Sequence, residues 1–244
     1  EDRGMEPYEQ LRRLAEGQDA YGEFVKKLCK KADQKYNSGL FDFAKDTLTP
    51  RLDIDDKVFK PIVEDLYFPK SPYEFSVLPA EILGNVYEQF LGKVIRLTSG
   101  HQAKVEEKPE VKKAGGVYYT PTYIVEYIVK NTVGKMVEGR SPRQMAEFRV
   151  LDMACGSGSF LLGAYQALLD HYLKWYTEHS PEKQAKAVWK DGEAWRLTTA
   201  ERKRILLAHV FGVDIDRQAV EVTKLSLLLK VLEGENDRTL AKQT

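Results

Sequence analysis

The nine residues Asp152-Met153-Ala154-Cys155-Gly156-Ser157-Gly158-Ser159-Phe160 constrain this chain more than any other stretch. They close the compact apolar run FRVLDMAC (148 to 155) and open SFLLGAYQALLDHYLKWY, whose length and apolar spacing are those of a helix. The pattern reads strand, glycine loop, helix. A polar, Trp-containing insert from about 177 to 200 follows, then a helix into HVFGVDI (209 to 215), a second buried strand, and a further helix from about 217 to 233. The order β-α-β-α predicts an α/β fold with a parallel sheet and a right-handed crossover.

Gly156 and Gly158 lack Cβ atoms, so a ligand can lie against their backbone, and the loop opens at the carboxyl end of its strand, where parallel sheets hold ligands. A nucleotide-like cofactor is implied. A dinucleotide fingerprint would need glycine where Leu161 stands, whereas the next glycine is Gly163. Asp152, four residues before Gly156, would repel a pyrophosphate and attract a cation. S-adenosylmethionine carries an ammonium and a sulfonium and no phosphate, which suits this loop. At the second strand end Asp214 can accept hydrogen bonds from two ribose hydroxyls, Ile215 can cover an adenine face, and Asp216 reads as the cap of the helix from Arg217 to Glu233. Each feature alone also fits a tight turn or a helix cap; their combination points to a cofactor site. Cys155 has no histidine near it in sequence and reads as a small loop residue rather than a nucleophile.

Upstream, apolar positions recur at helical intervals from about 8 to 36, from about 54 to 68, and from Pro79 through Ile95, so residues 1–100 read as an α-helical module. Residues 101–116 are mostly Lys and Glu with Pro109 and the Gly115-Gly116 pair, which reads as a solvated linker and places the domain boundary there. Beyond it, Thr120 is the expected N-cap and Pro121 the first residue of a helix running to about Val137. Residues 117–244 then form the second domain.

The chain has 244 residues, 43% of them hydrophobic and 30% charged, the balance of a folded globular protein. Lys+Arg and Asp+Glu are 37 each, so any pull on DNA must come from a local patch; Lys26, Lys27, Lys30 and Lys31 form one, and the bland reading is an exposed helix face. Cys29 and Cys155 follow no metal-binding spacing, and the four histidines lack an i, i+4 pair, so no metal site is expected. The start EDRGMEPYEQ is not a signal peptide, and even LSLLLKVL (225 to 232) is interrupted by Ser226 and Lys230, so a cytoplasmic chain without a membrane span is expected. Asp55-Asp56-Lys57 matches the acid-x-Lys half of a nuclease signature, but no strand surrounds it and a solvated helical surface is the better reading.

LDMACGSGSFL resembles the cofactor loop of the DNA amino-methyltransferases, specifically the adenine-N6 type of fused restriction-modification enzymes, usually written D-P-A-C-G-S-G. GGVYYTPTYIVEYIV resembles the segment that precedes that loop in the gamma order of motifs, and GVDIDRQAVEV the acidic motif of the second strand. ILGNVYEQFLGKV and NSGLFDF look like the helical connector of type IIG enzymes, in which one polypeptide carries nuclease, methyltransferase and target recognition. The resemblance implies a Rossmann-like methyltransferase sheet, and it assigns residues. Thr120, helped by Tyr119 and Pro121, would hold the methionine carboxylate; Asp152 would face the ammonium; Ala154, Cys155, Gly156, Ser157 and Gly158 would supply loop backbone. Phe160 would pack near the site, and Asp214 with Ile215 would hold ribose and adenine. Met153 replaces the family's usual proline and removes no ligand.

One family element is absent. The catalytic motif is Asn, Asp or Ser followed by Pro-Pro and an aromatic, which holds the target amine and stacks on the flipped base; no Pro-Pro pair occurs in these 244 residues. The expectation is therefore the cofactor-binding part of a site-specific adenine-N6 methyltransferase, with no catalytic residue in this chain, a truncated sheet, and the chain alone inactive. Double-stranded DNA would be met through the parent protein, with further domains or subunits for recognition and cleavage. The alternatives are a non-catalytic cofactor-binding or specificity-supporting module, and a methyltransferase with a non-DNA acceptor.

Overall fold

The structure, a computed structural model, describes residues 9–36, 41–72, 82, 84, 86–87, 93–100, 102–107 and 120–235. Contacts divide the chain into two compact units, Glu1–Leu78 with Gly234–Lys242 and Pro79–Glu233 with Gln243–Thr244. The division falls ahead of the 101–116 stretch that composition marks as a linker.

In the first unit, α1 (Gln10–Glu16), α2 (Ala20–Glu23), a π-helical turn (Phe24–Cys29) and α3 (Lys30–Tyr36) occupy the stretch expected to be one helix. The break lies at residues 17–19. Asp19 sits in the left-handed region at φ 54° and its carboxylate accepts from the Gly22 N–H, so the side chain restarts the helix as a cap. After a short 3₁₀ turn at Thr49–Arg51, α4 (Asp56–Glu64) starts at Asp55, which accepts from the Lys57 N–H. Asp56 accepts from the Ala20 N–H at 2.8 Å and pairs with Lys60 at 3.1 Å. The acid-x-Lys match is thus a helix start. Tyr21 packs edge-on to Phe59 at 5.4 Å over buried Ala20, Val25, Cys29 and Val63. In the basic cluster, Lys26 pairs with Asp19 and Lys27 with Glu23.

In the second unit, Ile82, Gly84, Val86 and Tyr87 are helical. The helix expected to reach Ile95 stops before Lys93, because β1 (Lys93–Leu97) pairs antiparallel with β2 (Ala103–Glu107), Ile95 opposite Val105. In β2, Ala103 and Val105 alternate with Lys104 and Glu106, which fits a strand, and the pairing with β2 extends Lys93–Leu97 although Val94 and Ile95 are adjacent. Thr98 closes the turn, its N–H donating to the Gln102 carbonyl at 2.9 Å and its hydroxyl accepting from the Gln102 N–H at 3.1 Å. The expected linker therefore contains a strand. α5 (Thr122–Val129) continues through a π-helical turn (Lys130–Gly134) into α6 (Lys135–Val137), ending where the sequence pattern places it. Its start is one residue late: Pro121, with an extended ψ of 142°, is the N-cap and makes no side-chain cap, so Thr120 does not cap this helix.

The remaining elements are β3 (Val150–Asp152), α7 (Ser159–Glu178), β4 (Val188–Asp191), β5 (Ala194–Leu197), α8 (Thr199–His209), β6 (Val210–Gly212) and α9 (Arg217–Leu232). β3 and β6 are parallel, with Val150 opposite Val210 and Asp152 opposite Gly212, as the β-α-β order requires. The polar insert proves to be an antiparallel hairpin of β4 and β5, turning at Gly192 and burying Val188, Trp189 and Leu197. The chain is a mixed helix and strand fold with small sheets. Val125, Val129, Tyr165, Leu168 and Ile205 lie in a hydrophobic core cluster of the second unit.

That core encloses a polar network. The fully buried His209 ring meets the Phe148 carbonyl through Nδ1 and the Tyr172 hydroxyl through Nε2, both at 2.8 Å. A carbonyl only accepts, so Nδ1 carries the proton and Nε2 accepts from Tyr172. Burial pushes the His209 imidazole below its ordinary pKa, which keeps it neutral. Tyr176 donates to Glu201 at 2.7 Å, Arg204 grips the same carboxylate with two contacts of 2.7 Å, and its guanidinium lies 5.2 Å from the centre of the Tyr172 ring. Among the described residues no helix is long and apolar enough to cross a membrane.

Candidate cofactor site

The two parallel strands end side by side, and their ends are stitched together. The Val213 N–H donates to the Asp152 carbonyl at 2.8 Å, and the Cys155 N–H to the Val213 carbonyl at 3.0 Å. This ladder carries the loop after β3 across to the loop after β6. Asp214 then uses both carboxylate oxygens: one accepts from the Gly156 N–H at 2.8 Å, the other from the Asp216 N–H at 2.8 Å. Asp152 turns one oxygen onto the Ala154 N–H at 3.0 Å. Asp216 caps α9 by accepting from the Gln218 N–H, as expected, and lies 3.4 Å from the Tyr87 hydroxyl. Burial and the Asp216 charge push that tyrosine up to about 12.

The glycines answer to this geometry. Gly156 and Gly158 have φ of 52° and 88°, the left-handed region that an L side chain enters at a cost. A Cβ on Gly158 would lie 2.7 Å from the Thr223 methyl. A Cβ on Gly212 would lie 2.6 Å from Leu161, which holds β6 close to the first turn of α7. Gly84 likewise passes against Ser157, 3.2 Å from where its Cβ would stand.

The structure thus brings Asp152, Ala154, Cys155, Gly156, Ser157, Gly158 and Asp214 to one rim. Cys155 is buried, and burial pushes its thiol up, away from nucleophilic use. Ser157 is buried under the loop, and Phe160 is half-buried against the main core. Ile215 is fully exposed at 105% and Met153 at 78%, two apolar side chains standing in solvent beside the loop. Thr120 is half-buried and Pro121 exposed; Tyr119 lies outside the described residues. α5 packs on α7 through Val125 and Val129 against Gly163, which brings the segment after Pro121 alongside the helix that leaves the loop.

Sequence reasoning missed Thr223. Its hydroxyl donates to the Gly156 carbonyl at 2.8 Å. The signal was the spacing of Ala219, Thr223 and Ser226, small residues along one side of α9 that are all buried while Leu229 is 42% exposed. A helix that buries small residues along one side has something packed close against it.

The two loops carry acids and no base of their own: neither 150–165 nor 206–216 contains a lysine or arginine. Carboxylates with exposed apolar neighbours fit a cationic nucleoside and disfavour a pyrophosphate. A sequence model of N-6 DNA Methylase matches residues 79–244.

The chain belongs to the N-6 DNA methylase family. The match begins where the second compact unit begins. Over its whole length the chain is 36% identical to the type II restriction enzyme and methyltransferase RM.Eco57I of Escherichia coli, of which it covers 24%. It is 25% identical over 231 residues to the adenine-specific methyltransferase BrxX of Escherichia coli O9:H4 (strain HS), covering 82% of this chain and 17% of that protein. A third relative, the adenine-specific methyltransferase PglX of Streptomyces coelicolor, is 28% identical over 129 residues, 53% of this chain and 9% of that one. The chain therefore spans a quarter or less of the length of these relatives.

Proposed function

We propose that this N-6 DNA methylase chain is the S-adenosylmethionine-binding part of a site-specific adenine-N6 DNA methyltransferase within a restriction-modification protein. One observation carries the reading. The ends of two parallel strands present Asp152 and Asp214 on either side of a glycine loop that is hydrogen-bonded across both strands. The fold this implies is the first part of a Rossmann-like methyltransferase sheet, with residues 1–100 acting as a connector, helical up to the strand at Lys93–Leu97, and 117–244 as the cofactor-binding half.

When bound, the cofactor would supply a methyl group on a sulfonium to an incoming amine. The chain's own residues bind and orient. Asp152 would hold the ammonium, leaving its backbone-bonded oxygen in place. Asp214 has further lone pairs on both oxygens, so ribose hydroxyls can donate to it without displacing Gly156 or Asp216. Ile215 would cover one adenine face, which gives its full exposure a use. Thr120 and Pro121, with Tyr119, would receive the carboxylate at the start of α5, and the loop from Ala154 to Gly158 would lie against the ligand with Phe160 beneath it.

No Asn/Asp/Ser-Pro-Pro-aromatic tetrad occurs in the 244 residues, so the acceptor site and contacts to double-stranded DNA are assigned to the remainder of a longer protein. Calorimetric titration of S-adenosylmethionine into the chain tests the reading. Binding is expected, with Asp152→Ala and Asp214→Ala each weakening it on the order of tenfold or more. Unchanged affinity in both variants, or no binding by the unmodified chain, would refute it. Incubation of the chain alone with DNA and cofactor is expected to leave adenine unmethylated.

A further inference from the structure

The backbone of Gly156 is gripped from both sides. Its N–H donates to Asp214 at 2.8 Å and its carbonyl accepts from the Thr223 hydroxyl at 2.8 Å, so the two peptide planes that meet at its Cα are both fixed. Fixing both planes fixes φ and ψ. Gly156 stands at φ 52°, a value that glycine visits freely and holds only under outside constraint.

Thr223 does a second thing with the same side chain. Its methyl and hydroxyl fill the space beside Gly158, 2.7 and 2.9 Å from where a Cβ would stand. The residue is 4% exposed and lies in α9. One buried β-branched residue thus meets two parts of the loop, at Gly156 and Gly158. Being β-branched and helical, it has few rotamers to choose from, so its hydroxyl is aimed before the loop arrives.

We infer that Thr223 is a positioning residue of the cofactor site: it sets the shape of the glycine loop from α9, so that the loop meets its ligand already formed. The inference rests on the cofactor reading above and adds to it a residue no motif carries. It also divides the labour within the loop. The N–H and carbonyl of Gly156 are turned inward to Asp214 and Thr223, so ligand contacts fall to the flanking carboxylates and to the open faces of the glycines. A loop that must be ordered by its ligand loses affinity to that ordering; a loop held by Thr223 does not.

The test uses the 244-residue chain with Thr223→Val, which keeps the shape and removes the hydroxyl, and Thr223→Ser, which keeps the hydroxyl and removes the methyl. Two readouts are taken: amide hydrogen exchange at Gly156 and Ser157 without ligand, and the Kd for S-adenosylmethionine. Thr223→Val is expected to speed exchange at Gly156 on the order of tenfold and raise Kd by a similar factor. Thr223→Ser is expected to stay within about twofold of the unmodified chain in both, since the bond to the carbonyl is retained. Amides around Tyr172 and His209 report whether the core stays folded.

A purely structural role gives another pattern: lower global stability in Thr223→Val, with loop exchange and Kd both unmoved. That pattern overturns the inference. Should Thr223→Val not fold, the unmodified chain decides. Saturating cofactor is expected to slow Gly156 exchange by less than about threefold, because the loop is formed beforehand, and strong ligand-induced protection would overturn the inference. If the unmodified chain binds no S-adenosylmethionine, the cofactor reading fails, and the ligand-free exchange comparison still decides whether Thr223 orders the loop.

Discussion

Gly158→Ala tests the packing of the loop against α9 through two separable costs. At φ 88° an alanine adopts a left-handed backbone, which costs about 1–2 kcal/mol. Its Cβ would also lie 2.7 Å from the Thr223 methyl and 2.9 Å from its hydroxyl, and relieving such a contact in a buried site costs about 1–3 kcal/mol more. Gly139 and Gly192 serve as controls, with φ of 72° and 62° and nothing within 4 Å of the methyl an alanine would add, so their alanine variants carry the backbone cost alone. Alanine also stiffens the unfolded chain, but equally at all three positions. Urea unfolding followed by tryptophan fluorescence is the assay. Trp175, Trp189 and Trp195 all lie in the unit Pro79–Glu233, so the signal reports the unit that holds the loop. Gly158→Ala is expected to destabilise by about 2–5 kcal/mol and the two controls by about 1–2 kcal/mol each. Adding Thr223→Ser to Gly158→Ala removes the methyl at 2.7 Å and is expected to recover part of the difference. Equal losses in Gly158→Ala and Gly139→Ala would show that Thr223 does not crowd the loop, and the reasoning would be refuted.

The core network predicts a pH response. His209 resists protonation in the folded chain, so below pH 6.5, its ordinary value, the unfolded chain binds the extra proton and stability falls by up to ~1.4 kcal/mol per pH unit until the folded imidazole also titrates. Arg204 and Arg149 act in the same direction, and the Phe148 carbonyl and Glu201 against it. Urea midpoints between about pH 8 and 5 should show this slope, and His209→Gln should flatten it; a slope unchanged in the variant would sink the assignment. Asp214→Asn places an amide NH₂ against one of two N–H donors, so it is expected to cost about 1–3 kcal/mol of stability as well as cofactor affinity. Ile215→Ala should do the opposite: as a fully exposed residue it is expected to leave stability within about 0.5 kcal/mol while weakening S-adenosylmethionine binding severalfold, and an unchanged Kd would remove Ile215 from the site.

Local order was legible wherever one period dominated the sequence. The strand at Val150, the helix from Ser159, the strand after His209 and the Asp216 cap all follow from runs whose apolar spacing or cap chemistry admits one reading. It failed where signals competed. Asp19 split a helix that apolar spacing joins, and Pro121, extended in ψ, delayed α5 by a residue. The charges of 101–116 masked a strand whose partner, Lys93–Leu97, lies across a turn. In the insert, Val188 and Leu197 are buried only because a hairpin folds them onto the core.

Sequence by itself determined the chemistry of the rim: two acids, a glycine loop without lysine or arginine, and an apolar residue after the second acid, since charge and the absence of a Cβ are properties of residues one at a time. Tertiary structure decided what those groups are free to do. It committed Asp214 to two backbone N–H groups and set Thr223 against Gly156 and Gly158, partners separated by 58 and 67 positions in the chain for the two grips on Gly156. Contacts at that separation leave no periodic trace, because they depend on how two α/β units dock and not on what stands beside each residue.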